Sequence, residues 1–195
     1  MMTPVRARDR LLIAGGDLFY HEGLTATGVD RVVRAAGVSK PTLYAHFRSK
    51  GDLVAAVLDQ RHAQRVEELQ AWVNRTEDVR QRPLAVFTWL ADWYERDGAR
   101  GCAFLNAAAE VVDPEDPARL VVSREKRWLA DFLARLARDA GLRRPEQLAS
   151  QLLLLIDGVS ARVLVQGIRA APQVVAEATQ VAVMLIAAAG TDSPS

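Results

Sequence analysis

Apolar residues recur at helical spacing along almost the whole chain, and strand-like alternation of apolar and polar residues is missing. From Arg6 to about Tyr20, Leu11, Leu12, Leu18 and Phe19 define one face, and Gly23 closes the helix. Gly15 and Gly16 sit inside it at about 1 kcal/mol of propensity each. Close packing against a neighbouring helix or simple tolerance accounts for them equally. Thr27 can cap a short second helix with Val29, Val32 and Val33 inward, ended by Ala35-Ala36-Gly37. Val38 follows as a buried plug. Ser39 is a good N-cap for a third helix, whose first turn accepts Pro41 and whose Leu43 and Phe47 face the core. Ser49 and Asp52 resemble a capping box opening a fourth helix to about Val73.

Proline and glycine divide the remainder. A helix is expected from Arg82-Pro83 to about Asp97, a short apolar one over CAFLNAAAEV, and a break at DPEDP, residues 113–117. Further helices are expected from about Ala118 to Ala140, from Pro145 to near Ala171-Pro172, and from there to Gly190. The tail TDSPS is expected to be disordered. The fold class is therefore all-α, with no solenoid repeat.

Composition narrows the function classes. Of 195 residues, 50% are hydrophobic and 25% charged, enough for one or two cores. No uninterrupted run of about eighteen apolar residues suggests a membrane span, and no apolar segment follows the basic N-terminal residues as in a signal peptide. Cys102 is the single cysteine, which suits a reducing cytoplasm and reads as a small buried hydrophobe. Net charge is +1, but residues 1–50 hold eight Lys+Arg against four Asp+Glu. A basic front on a slightly acidic body suits a head that binds a polyanion.

Two short helices joined by a tight glycine turn, the second led by polar residues, describe a helix-turn-helix. Its second helix lies in the DNA major groove with N-terminal side chains at base edges. With Val38, Leu43 and Phe47 inward, Lys40, Pro41, Thr42, Tyr44, Ala45 and His46 face outward. Lys40 and Thr42 can hydrogen-bond base edges, and Pro41 and Ala45 can meet a thymine methyl. Tyr44, His46 and Lys50 have the reach for phosphate, as has Thr27 at the start of the preceding helix. Taken singly, each of these residues reads as well as solvated surface or packing; taken together within the two-helix frame they point to DNA.

The stretch GLTATGVDRVVRAAGVSKPTLYAHFRSKGDLVAAVL resembles the DNA-binding domain of the TetR family of bacterial transcriptional regulators. The resemblance is carried by Ala36-Gly37-Val38-Ser39-Lys40, Thr42-Leu43-Tyr44, His46-Phe47, Ser49-Lys50 and Leu53. The chain departs from the family pattern at Gly15-Gly16, where alanines are usual, and at Gly28, where serine or threonine is common. The second departure leaves Thr27 alone to supply a hydroxyl to phosphate. The resemblance implies a DNA-binding domain over 1–50, Ser39 included at its surface, and a helical effector-binding and dimerisation domain over 51–190. Residues 191–195 form the tail. It also implies a homodimer through the last two helices, whose segments QLLLLIDGVSARVLVQG and VVAEATQVAVMLIAAAG are apolar on more than one face. Gly158, Ala161, Ala182 and Ala187 would let helices approach closely. A symmetric dimer reads a palindromic operator.

The family further implies an effector pocket, for which His62, Trp89, Trp93, Phe104, Asn106, Trp128 and Asp157 are the candidates. Their aromatic content suits a small, largely apolar or aromatic effector. Asn106 and Asp157 each interrupt an apolar helix, which an internal hydrogen bond or ion pair explains as well as a ligand does. The tryptophans are equally consistent with core packing.

The function expected is that of a cytoplasmic, ligand-responsive repressor, with no cofactor and no metal. Alternatives are a transcriptional activator, an architectural DNA-binding protein, a helical module that binds protein, and a helical-bundle enzyme. The last has little support, since His21, His46 and His62 are scattered without metal-ligand spacing.

Overall fold

The computed structural model describes residues 6–190. The expected disorder of residues 191–195 lies outside them. Nine α-helices are formed by the described residues: α1 (Ala7–Glu22), α2 (Val29–Ala36), α3 (Lys40–His46), α4 (Lys50–Asn74), α5 (Arg82–Arg96), α6 (Ala103–Glu110), α7 (Pro117–Asp139), α8 (Pro145–Gln166) and α9 (Ala171–Ala189). Short 3₁₀ turns precede α5 and α9, at Val79–Gln81 and Ile168–Ala170. The all-α class is as expected. One boundary is not: the eighth helix stops at Gln166 rather than near Ala171-Pro172, because Gly167 takes the left-handed region at φ 86°. Pro172 then occupies the first turn of α9, where its missing amide proton costs nothing.

The chain divides into two compact units. Among the described residues, the first holds 6–63 and 103–124, the second 64–102 and 125–190. In the first unit α1 packs on α2 and α3, and α2 on α3. Leu11, Val32, Leu43 and Leu53 are wholly buried there. Gly15 is settled as a close-packing position: a Cβ on it would lie 3.3 Å from both the Phe19 ring and Val57 of α4. Gly16 has ordinary room. The α7 start is fixed by Asp116, whose carboxylate accepts the Ala118 amide at 2.8 Å.

In the second unit α9 packs against both α5 and α8. Phe87, Leu133, Leu152, Val163 and Ala182 lie at zero exposure in its core. The buried Tyr94 hydroxyl donates to Ser160 Oγ at 3.1 Å, and Ser160 in turn donates to the Ile156 carbonyl at 3.1 Å. Both hydroxyls are thus satisfied inside the core. Helices α8 and α9, with the 3₁₀ turn before α9, are long and apolar enough to cross a membrane, a property that counting uninterrupted apolar runs passes over. Each buries one face, yet Leu154, Leu164, Val165, Val181, Val183 and Met184 stay exposed.

Candidate nucleic-acid interface

The turn between α2 and α3 is made by backbone and glycine. Gly37 adopts φ 62°, ψ 39°. Its amide donates to the Arg34 carbonyl at 3.2 Å and that of Val38 to the Val33 carbonyl at 3.0 Å, the pair of bonds that ends a helix in a Schellman turn. Arg10 of α1 reaches across and donates from Nη1 to the Gly37 carbonyl at 3.2 Å. Ser39 then caps α3, its Oγ accepting the Thr42 amide at 3.2 Å. Ser49 does the same for Asp52 at the start of α4. Asp52 does not return the bond of a full capping box; its carboxylate takes Arg48 instead, at 2.9 Å.

This frame leaves one face of α3 outward. Ser39, Lys40, Pro41, Tyr44, Ala45 and His46 are exposed, with Thr42 half-buried and Leu43 and Phe47 inward. Several of these groups have partners within the protein. The Lys40 ammonium pairs with Asp30 of α2 at 2.9 Å, which raises its pKa above the ordinary lysine value through the hydrogen bond and the attraction of that carboxylate. The Thr42 hydroxyl shares a 2.7 Å hydrogen bond with Ser39. Both are solvent-facing bonds that a base edge or phosphate can replace.

One expectation is corrected. Thr27 is completely buried and its hydroxyl donates to the Leu18 carbonyl at 3.4 Å. It is therefore part of the head's interior and offers no phosphate contact; the residue capping α2 is Gly28, which has no side chain to offer. Lys50 is half-buried, and its ammonium donates to the Leu24 carbonyl, bracing the α1–α2 connection. Arg10 and Asp30 were not picked out by sequence reasoning. A basic residue one helix upstream of a glycine turn is the signal that could have found Arg10.

Comparison with known proteins identifies the frame. Residues 11–57 match the family model of bacterial regulatory proteins of the tetR family. Over nearly its whole length the chain is similar to SCO4454, a TetR-family transcriptional regulator from Streptomyces coelicolor. The two share 30% identity over 94% of this chain and 95% of that one, with a TM-score of 0.86. The chain belongs to the TetR family. A TetR transcriptional regulator from Streptomyces avermitilis is similar at 32% identity over 95% and 98% of the two chains, with a TM-score of 0.84. Among curated proteins, the transcriptional activator FasR of Mycolicibacterium smegmatis is 38% identical over 69% of this chain and 61% of its own. The transcriptional repressor NemR of Escherichia coli is 27% identical over 65% of each. This chain thus spans less than two thirds of the length of these two curated relatives.

In this TetR-family chain the effector candidates fall into separate places. Phe104 and Asn106 of α6 lie in the first unit, Phe104 buried in it. Asn106 lines a cleft there with Phe19, Tyr20, Val57, Leu58 and Glu110. His62, also in that unit, is half-buried. In the second unit Trp89 and Trp93 stack at 6.2 Å and Trp128 stacks on Phe132 at 5.3 Å. Asp157 pairs with Lys126, so the ion-pair reading accounts for it.

The residue that organises the second unit's aromatics is Arg65, which sequence reasoning missed. Its guanidinium lies over the rings of Trp89 and Trp93, at 5.3 and 5.9 Å from their centroids. It pairs with the wholly buried Glu125 at 3.2 Å, and Cys102 Sγ lies 3.8 Å from the same nitrogen. Burial disfavours its charge, but Cys102 and Glu125 outweigh burial and hold its pKa above the ordinary arginine value. The signal for this pair is a carboxylate, Glu125, on the apolar face of α7 between Val122 and Leu129. Arg65, Val86, Trp89, Leu90, Leu129 and Ile156 line a narrow gap with no room for a water molecule. Among the described residues, the indole N–H of Trp89 meets no acceptor.

Proposed function

We propose that this chain is a sequence-specific DNA-binding transcriptional regulator acting as a homodimer on a palindromic operator. The observation that carries it is the outward face of α3, where Lys40, Pro41, Thr42, Tyr44 and His46 stand on a rigidly capped turn. Lys40 and Thr42 reach base edges, Pro41 and Ala45 meet thymine methyls, and Tyr44, His46 and Ser39 contact the backbone. The exposed apolar residues of α8 and α9 support the dimer, since a contiguous face of that kind is covered by a partner in a soluble protein. Gly158, Ala161 and Ala187 lie exposed among them, whereas Ala182 is spent within the unit's own core.

The regulator works in the cytoplasm, without cofactor or catalysis, and represses where its operator overlaps a promoter. An operator upstream of the promoter would make it an activator, and both signs occur among its named relatives. Its effector is small and largely apolar or aromatic, enters beside Trp89 by displacing side chains, and carries an acceptor for the indole N–H. It shifts the DNA-bound population only by its differential affinity for the two head spacings.

The test is selection of duplexes from a random library, followed by anisotropy binding at two salt concentrations and sedimentation of the complex. A palindrome bound by two chains, with affinity falling steeply as salt rises, supports the reading. Binding without sequence preference supports an architectural protein instead.

A further inference from the structure

The connection between α1 and α2, residues 23–28, has its backbone held by side chains from distant parts of the first unit. Glu110, the last residue of α6, accepts the Leu24 amide on Oε1 at 3.1 Å and the Thr25 amide on Oε2 at 2.7 Å. Lys50 of α4 takes the carbonyl of the same Leu24. One peptide unit is thereby gripped on one side from α6 and on the next from α4. Gly23 fits this arrangement twice over. Its φ is 95°, and a Cβ there would lie 3.2 Å from Glu110 Oε1, in the space that the carboxylate uses.

A carboxylate at a helix C-terminus faces the negative end of the dipole and is disfavoured there. The two charge-assisted bonds of Glu110 to backbone amides supply the compensating interaction. The segment it holds leads straight into α2, and α2 is joined to α3 by the Schellman turn at Gly37 that Arg10 clamps. The turn and the packing of α2 on α3 join the two helices, and Glu110 holds the segment that leads into them.

We propose that Glu110 is a positioning residue for DNA recognition, setting the angle at which the α2–α3 pair is presented and hence the fit of α3 to the groove. The role rests on the DNA-binding reading above. The chain reaches α6 directly from Gly101 and Cys102 of the second unit. Gly101 is pinned there, its φ being 65° and the Ser160 carbonyl lying 2.8 Å from where a Cβ would be.

The experiment compares the full chain with Glu110→Gln, Glu110→Asp and Glu110→Ala. The probes are a duplex selected from a random library with the wild-type chain and a random-sequence duplex of equal length. Glu110→Ala and Glu110→Gln are expected to bind the selected duplex about tenfold or more weakly, with random-duplex affinity and thermal midpoint nearly unchanged. Amide exchange at Leu24 and Thr25 accelerates in both variants, and Glu110→Asp, one methylene shorter, falls between them and wild type. Wild-type affinity for the selected duplex in Glu110→Ala overturns the proposal. So does an equal loss on both duplexes accompanied by a collapsed midpoint, which marks a purely structural role. A selection that returns no sequence overturns the DNA-binding reading, and this role with it.

Discussion

Replacing Glu125 by alanine is the sharpest test of how the second unit is held together. Glu125 has no exposure and the Arg65 side chain only 10%, with 3.2 Å between Nη1 and Oε1. The pair is thus almost out of water, where removing one partner strands a charge that the rest of the site was built to balance. Breaking a pair of this kind costs about 3–5 kcal/mol. At roughly 2–4 °C per kcal/mol for a chain of this size, Glu125→Ala should lower the thermal midpoint by about 6–20 °C. Much of that loss is the stranded guanidinium rather than the worth of the bond, so removing both charges must recover it. Arg65→Met combined with Glu125→Leu is expected to return to within about 2 kcal/mol of wild type, or above it. The assay is urea denaturation followed by tryptophan fluorescence, since Arg65 lies over Trp89 and Trp93 and their emission reports the same site. A cost below about 1 kcal/mol for Glu125→Ala, the range of surface pairs, would refute the burial argument. A double variant no better than the single would refute the claim that the stranded charge dominates.

Trp89→Phe removes a buried N–H that has no acceptor, so it should recover part of about 1–3 kcal/mol of desolvation against the area lost with the larger ring. A net cost within about 1 kcal/mol in urea denaturation agrees with this, whereas a loss above about 3 kcal/mol means the indole has a partner. Asp30→Asn frees Lys40 and removes a negative charge beside α3, so DNA affinity measured by anisotropy should rise; a fall would show that Asp30 orients Lys40 for recognition. Lys40→Ala should change preference among operator variants on the order of tenfold at one base pair, read by competition against single-base variants. The Glu177 carboxyl is held below its ordinary pKa by the Arg162 hydrogen bond first and then by Gln173. Its stabilising contribution is therefore present above the unfolded carboxyl pKa and lost as pH falls through the lowered folded value; Arg162→Ala should move the Glu177 titration, followed by carbon NMR, back upward.

The head was readable because its determinants are local. The left-handed turn at Gly37 and the Ser39 cap act on residues within four positions of them, and the four-residue spacing of Leu43 and Phe47 marks their shared inward face. The helix ends were readable for the same reason, and the one missed, at Gln166, followed from treating Pro172 rather than Gly167 as the stop. Thr27 shows the limit of composition. A threonine just before an apolar helix looks like a cap, and only the packing of α1 reveals that the cap is Gly28 and that Thr27 is inside. The aromatic residues of the second unit were legible as a group, but neither core nor pocket could be chosen without their neighbours.

What stayed hidden are the polar struts between residues far apart in the chain. Asp157 pairs with Lys126, 31 positions away. Arg65 meets Glu125 across 60 positions, and Glu110 meets Leu24 across 86. A charge on an apolar helix face announces that a partner exists but carries no information about which. That asymmetry explains why the outward face of α3 follows from the sequence while the struts around it do not. Base-reading side chains must point outward from a motif whose geometry is set within some twenty residues. The side chains that fix that motif's angle are chosen by tertiary packing, and any donor or acceptor of suitable length would serve. Glu110 therefore looks, in sequence, like one more surface charge at a helix end.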